Sequence, residues 1–320
     1  MKKAMIIGAA GFVGGYLIDH LKDDMNWEVY GTKLEIEKIE RKDIEIYNLD
    51  ILEKKEIVKL FERIKPDYIF NLAAQSSVSL SWKNPILTVD INIKGVINIL
   101  EAVREIKQYN PKIILIGSSE EYGNVKEDEI PVKEENNLRP GNIYAVTKVC
   151  QNMIGKIYSS AYEMDIVNIR AFNHIGPKQA PIFVVSDFCK QVAEVEKGLR
   201  EPIIYTGNLG AKRDFTDVRD IVRAYSALAL NGKKGETYNI GSGKAVSIKE
   251  ILDIILKNST KNIEIIRDEK RYRPIDIPII EADIEKLKKI TDWKPEILLE
   301  KSIKEILGYW RKNGRSNKKI

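Results

Sequence analysis

Lys3-Ala4-Met5-Ile6-Ile7-Gly8-Ala9-Ala10-Gly11-Phe12-Val13-Gly14 is the stretch that decides the fold. A short apolar run of strand length meets three glycines spaced three apart, and an amphipathic segment runs on to about residue 21. This reads as strand, glycine turn, helix. Glycines permit the tight turn and let backbone approach a diphosphate. The helix N-terminus adds amide donors and the positive end of its dipole. The spacing is not the commoner Gly-x-Gly-x-x-Gly. Its place between an N-terminal strand and a helix makes dinucleotide binding the expected use, with Gly8, Gly11, Phe12, Val13 and Gly14 in contact with the cofactor.

Outward from this turn, strand and helix patterns alternate. Strands are expected over 28–32, 44–49, 67–72, 112–117 and 165–171, and helices over 54–64, 90–106 and 144–162. The alternation predicts an α/β fold, a Rossmann-type doubly wound parallel sheet. Ligands of such sheets bind at the carboxyl ends of the strands, where Gly8, Ser118 and Asn173 fall. Beyond residue 171 the pattern changes. A loop at 172–177 precedes a helix (185–197), a strand (202–205), a lead-in at 213–220 to another helix, a strand (237–240), a helix (248–256), a strand (262–266) and a final helix (299–310). The expectation is a smaller, discontinuous mixed α/β substrate domain. The dinucleotide-binding part takes 1–173 plus about 213–241, the second part about 174–212 plus 242–312, and 313–320 is a basic tail.

The second strand ends in Gly31-Thr32-Lys33-Leu34, where an acid would bind the adenosine ribose and favour NAD. The acid is missing. Lys33 is either a partner for a 2′-phosphate or a solvated loop lysine, so NADPH and NADH both stay open, with Thr32 and Lys33 beside the cofactor. Asp50, followed by Ile51, is a candidate for the adenine amino group and for the N-cap of the next helix. Leu72, Ala73 and Ala74 are small enough for backbone to lie against the cofactor.

Near the middle stands Tyr144-Ala145-Val146-Thr147-Lys148. Residues four apart share a helix face, so the Tyr144 phenol and the Lys148 ammonium can meet one ligand. A free tyrosine has a pKa of about 10. A fixed positive charge lowers it and makes the phenol usable in proton transfer.

With 43% hydrophobic and 31% charged residues, the composition is that of a soluble globular chain, and no apolar run approaches a membrane span. Met1-Lys2-Lys3 and the apolar run after it read as a first strand of a cytoplasmic protein, not a secretory signal. Cys150, Cys189, His20 and His174 are too few for a disulfide framework or a zinc site, and no metal is expected. The net charge of +5 resides in the last ten residues, so the body is neutral and neither nucleic acid nor membrane is an expected partner.

Taken together, Gly8/Gly11/Gly14, Asp50, Asn71-Leu72-Ala73-Ala74, Ser118 and Tyr144/Lys148 resemble the extended short-chain dehydrogenase/reductase family, over nearly the whole chain. Gly117-Ser118-Ser119-Glu120-Glu121-Tyr122-Gly123, Phe172-Asn173-His174-Ile175-Gly176-Pro177 and the run from Gly207 to Asp217 are most similar to the members that reduce the 4-keto group of GDP-4-dehydro-6-deoxy-D-mannose. The resemblance implies NADPH or NADH, Tyr144 as proton donor, Ser118 as hydrogen-bond donor to the substrate oxygen, and Lys148 as the group that lowers the tyrosine pKa. It implies a GDP-sugar held by Asn173, Asn208, Arg213 and Arg273, and a homodimer built on the helices near Asp90 and Tyr144. Glu120 keeps a second reading open, because GDP-mannose 4,6-dehydratases place a base at that position. Another sugar-nucleotide epimerase or reductase, and a cofactor-sensing regulator without turnover, are the remaining readings.

Overall fold

The computed structural model describes residues 1–39, 41–271 and 277–313. Its first six strands are β1 (Lys3–Ile7), β2 (Glu28–Lys33), β3 (Glu45–Asn48), β4 (Tyr68–Asn71), β5 (Lys112–Ser118) and β6 (Ile166–Ala171). Then come β7 (Asn173–Ile175), β8 (Ile203–Thr206), β9 (Lys212–Asp217), β10 (Thr237–Ile240), β11 (Ala245–Ser247), β12 (Glu264–Arg267) and β13 (Ile279–Ile280). Seven of them form one sheet in the order β10-β6-β5-β4-β1-β2-β3, with every neighbouring pair parallel. The doubly wound parallel sheet is as expected. The chain winds outward from β1 to β3, then crosses back to β4 on the other side of β1. That reversal opens a crevice at the carboxyl ends of β1 and β4.

The strand sequences explain the layering. Alternate residues of a strand point to opposite faces. Ala4 and Ile6 of β1, Phe70, Ile114 and Ile169 pack toward the Phe12–Asp19 and Val218–Asn231 helices. Met5, Ile7, Ile69, Ile113 and Leu115 pack toward the Lys54–Ile64 and Gly95–Glu105 helices. Both faces are covered, so β1 carries Ala4-Met5-Ile6-Ile7 without polar alternation.

The second part has its own core of Ile175, Phe188, Val192, Ile204, Ile251 and Ile303. β9 lies between β11, which it pairs antiparallel, and β13, which it pairs parallel; β7 also pairs parallel with it, and β8 pairs with β12. Two expectations are corrected here. Residues 173–175 are a strand, not loop, and 212–217 are a strand before they lead into a helix. Three residues are too few to show an alternation, and the partner of β7 stands some forty positions further along the chain. The boundary expected near 213 therefore falls inside β9. β10, from the same late region, closes the edge of the large sheet beside β6. Arg273 and residues 314–320 of the basic tail lie outside the described residues.

The glycine turn depends on close backbone approach. A Cβ on Gly14 would stand 2.4 Å from the Ala9 carbonyl oxygen. Backbone cannot step aside as a side chain can. Gly14→Ala is expected to cost about 1–3 kcal/mol through overpacking, read as a lower urea midpoint at unchanged slope.

Candidate active site

The glycine turn and the end of β4 emerge side by side, because Ile7 and Asn71 are partners across β1 and β4. Gly8 has φ +82°, and a Cβ there would meet the Ala73 nitrogen at 2.9 Å. The Phe12–Asp19 helix starts behind Gly11 with no side-chain cap and no acid in its first turn. Uncapped amides at a glycine-lined helix start fit a dinucleotide diphosphate. Gly8, Gly11 and Gly14, with Leu72, Ala73 and Ala74 opposite, are the residues that would hold the cofactor there. Val13 packs on the core, and Phe12 stacks parallel to His174 with ring centroids 6.2 Å apart.

Thr32 is used by the turn itself. Its hydroxyl accepts from Gly8 N–H at 3.3 Å and its carbonyl from Ala9 N–H at 2.7 Å. Lys33 is half-buried and donates to the Leu34 and Glu35 carbonyls. Asp50 is exposed at the end of the β3 region, and the N-cap expectation is corrected. Its carboxylate accepts from Leu52 N–H at 2.9 Å in a local turn, and Glu53 occupies the cap position. Ile51 turns its side chain into the core, where a Cβ on Gly95 would meet it at 2.4 Å.

The chemistry gathers at the end of β5 and the start of the Ile143–Ala161 helix. Ser118 ends β5 and caps a short turn, Ser119–Tyr122, by accepting from Glu120 N–H. Asn142 caps the long helix by accepting from Ala145 N–H at 2.8 Å. Tyr144 and Lys148 follow one turn apart and both are buried. The Tyr144 pKa is pushed above the ordinary tyrosine range, chiefly by burial, with Glu120 and Glu121 adding to the rise and the Ser118 hydroxyl opposing it. In the cofactor-free fold burial outweighs the fall expected from Lys148. The ammonium lies 6.0 Å from the ring centroid and donates to the Ile116 carbonyl at 2.7 Å and to Gln151 Oε1 at 3.0 Å. Burial in turn lowers Lys148 itself to about 8, against the pull of Glu121.

Four residues that shape the site, Glu121, Arg170, Asn92 and Asn142, had no role in the sequence reading. Glu121 is fully buried, accepts from Ser118 N–H at 2.9 Å and pairs with Arg170 at 2.9 Å. Burial pushes its carboxyl up, while Arg170, the Ser118 amide and Lys148 act against that. Asn92 sits in a widened turn, Asp90–Lys94, between the Pro85–Val89 and Gly95–Glu105 helices. It accepts from Gln75 N–H at 2.8 Å and donates to Thr147 Oγ1 at 3.0 Å, fixing the loop after β4 to the tyrosine helix. Asn142 also donates to Glu120 Oε2 at 3.0 Å. A pattern of single polar residues inside apolar segments was the available signal, and it does not name their partners.

Toward the second part, Asn173 is exposed on β7, and Asn208 accepts from Gly210 N–H. Arg213 is buried and donates to the Lys212 and Ile277 carbonyls. His174 is pushed below the ordinary imidazole range by burial, so its ring is neutral at pH 7. Its Nδ1, 3.1 Å from the Phe172 carbonyl, is then the protonated nitrogen.

Residues 5–306 match the family described as GDP-mannose 4,6 dehydratase. The chain belongs to that family. It is similar to the GDP-6-deoxy-D-mannose reductase of Pseudomonas aeruginosa, at 29% identity covering 98% of this chain and 99% of the relative. It is also similar to the GDP-mannose 4,6-dehydratase of Yersinia enterocolitica, at 28% identity covering 96% and 93%. Among solved structures it resembles RMD of Pseudomonas aeruginosa complexed with NADPH (TM-score 0.86, 28% identity, 98% and 99% covered). It also resembles the UDP-glucose 4-epimerase of Thermotoga maritima with UDP-glucose (TM-score 0.88, 26% identity, 98% and 100% covered). The chain is an NAD(P)-dependent enzyme of the extended short-chain dehydrogenase/reductase type, as its motifs resemble.

The depressed Lys148 has a stability consequence. Its proton is held less tightly in the fold than at its ordinary 10.5. The unfolded chain therefore binds more protons between about pH 8 and 10.5, and stability rises with pH across that window; below it the full penalty of the buried charge is present. Urea midpoints measured from pH 7.5 to 10 are expected to climb in the wild type relative to Lys148→Met, whose side chain has no charge to desolvate.

Proposed function

We propose that this enzyme reduces the 4-keto group of GDP-4-dehydro-6-deoxy-D-mannose to give GDP-6-deoxy-D-mannose (GDP-D-rhamnose). The carrying observation is the end-to-end likeness to the GDP-6-deoxy-D-mannose reductase of Pseudomonas aeruginosa, together with Ser118, Tyr144 and Lys148 gathered at the end of β5 and the start of the Ile143–Ala161 helix. A phenol beside a serine hydroxyl suits proton donation to a developing alkoxide.

NAD(P)H, when bound, supplies the hydride that goes to C4. As negative charge builds on the C4 oxygen, Tyr144 Oη gives it a proton and Ser118 Oγ–H donates a hydrogen bond. Lys148, one turn below, stabilises the phenolate that is left and is placed for the nicotinamide ribose hydroxyls. Asn173, Asn208 and Arg213 are the proposed sugar-nucleotide contacts, the guanidinium for the diphosphate; Arg273 is proposed with them from its sequence alone. The end-to-end likeness to the Pseudomonas aeruginosa reductase supports this substrate. Lys33 at the end of β2, and the NADPH in the resembling structure, support NADPH over NADH.

The second reading is GDP-mannose 4,6-dehydratase with Glu120 as base. Glu120 stands in the site, two residues from Ser118, and the likeness to the Yersinia enterocolitica dehydratase is nearly as strong. A paired assay separates the two. Nicotinamide oxidation with GDP-4-dehydro-6-deoxy-D-mannose and NADPH supports the reductase; keto-product from GDP-mannose alone, with no reduction in the first tube, reverses the choice. Tyr144→Phe is expected to lower kcat about a thousandfold with cofactor affinity by fluorescence titration unchanged.

The working unit proposed is a homodimer. The Ile143–Ala161 helix exposes Val146, Met153 and Ile157 along one side, and Ile86 and Val89 stand exposed on the adjoining Pro85–Val89 helix. Apolar side chains grouped this way on neighbouring helices mark an interface. Met153→Glu combined with Ile157→Glu is expected to give a monomer by light scattering, with the far-ultraviolet spectrum retained. No helix among the described residues is long and apolar enough to cross a membrane.

A further inference from the structure

We infer that Glu37 is a specificity-determining residue for the cofactor: its carboxylate, folded back over the end of β2, stands where the 2′-phosphate of NADPH must go and limits the preference for NADPH over NADH. The inference rests on the cofactor reading above and is independent of which sugar is reduced.

The end of β2 is fixed to the glycine turn, because Thr32 takes the N–H groups of Gly8 and Ala9. The residues after Thr32 therefore border that turn, where a dinucleotide on such a sheet lays its adenosine ribose. The acid that reads a ribose is absent from the strand end, which carries Lys33. A carboxylate nevertheless returns to it. Leu34 to Glu37 is a tight turn, closed by Glu37 N–H donating to the Leu34 carbonyl at 3.0 Å. The turn brings the half-buried Glu37 side chain back beside Leu34, and its Oε2 accepts from Leu34 N–H at 2.8 Å. A glutamate three residues on satisfies a free N–H at a helix start in the same way.

A phosphate at a strand end draws on main-chain donors and on a nearby cation. The donor next beyond β2 is Leu34 N–H, and Glu37 is on it. The cation is Lys33, whose Nζ donates to the Leu34 and Glu35 carbonyls at 3.2 and 3.4 Å. Arg41, further along the same loop, is committed to Asp19 and Asp43. Leu34 is thus bracketed by an ammonium on its carbonyl and a carboxylate on its N–H. A phosphate monoester carries about −1.5 to −2 charges at pH 7, so to take the Leu34 amide it must displace one carboxylate against like-charge repulsion. A ribose 2′-hydroxyl has no charge and donates to the lone pairs that Leu34 leaves open on the same carboxylate. Glu37 therefore opposes NADPH and accommodates NADH, while Lys33 does the reverse.

Binding alone tests this, without any sugar. Dissociation constants of NADPH and NADH are measured by nicotinamide fluorescence at low ionic strength for wild type, Glu37→Gln and Glu35→Gln. Glutamine keeps the length of the side chain and an oxygen for Leu34 N–H, so the first variant removes the charge and leaves the turn closed. Glu35, exposed in the same turn, controls for net charge. The expected result is an NADPH Kd lowered about tenfold in Glu37→Gln, with the NADH Kd unchanged or raised and a much smaller effect of Glu35→Gln. An unchanged NADPH Kd in Glu37→Gln, a gain shared equally by NADH, or an equal gain in Glu35→Gln each overturns the role of Glu37. The wild-type affinities answer the separate question of which cofactor is preferred. A wild type that binds NADH more tightly removes the NADPH preference proposed above, whereas the role of Glu37 stands or falls on the change between wild type and variant.

Discussion

The buried Glu121–Arg170 ion pair is the interaction on which the site depends. Two charges withdrawn from water are tolerable only when nearly every donor and acceptor around them is used. Here Glu121 takes the Ser118 N–H and the Arg170 Nε–H. Arg170 also donates to the Tyr122 hydroxyl at 3.0 Å and to the Glu134 carbonyl at 2.9 Å, and Tyr122 donates to Asn239 Oδ1 at 2.6 Å. The chain of bonds ties the end of β5 to β6 and then to β10 at the edge of the sheet. Gly117 is what makes room for it, since a Cβ there would stand 2.3 Å from Glu121 Oε1. Ser118, the serine proposed to face the substrate, is therefore positioned by a strand that the chain adds only after leaving the large domain and returning.

A second set of polar contacts does the same for the tyrosine. Asn92, in the widened turn of its helix, bonds both to the loop that follows β4 and to Thr147 on the tyrosine helix. Asn142 sets the start of that helix and carries Glu120 with it. Ser118, Tyr144 and Lys148 thus sit at the meeting of β5, one helix N-terminus and one turn, held in place by Glu121, Asn142 and Asn92. Rigid support of this kind lets a phenol with a strongly raised pKa be placed for proton transfer without being exposed to water.

Much of this was legible in the chain. The glycine turn after an apolar strand, the alternation of strand and helix through residue 171, and the Tyr144/Lys148 spacing are local patterns with short periods, and local geometry enforces them. The failures have a common cause. β7 and β9 were missed because short strands are defined by partners and not by their own periodicity. Asp50 was read as a cap, yet a carboxylate two residues before an amide closes on it first. The Tyr144 pKa was expected to fall because the lysine was visible and the burial was not.

What the sequence by itself determined is the sheet, the glycine turn and the placing of Tyr144 one helical turn from Lys148, since each follows from residue type and spacing within one or two turns of chain. What only the tertiary structure decided is the depth at which those side chains are buried and the partners they meet. Both depend on groups far apart in the chain, Glu120 with Asn142 and Glu121 with Arg170. Depth of burial and the direction of a hydrogen bond exist only once the chain has closed around them.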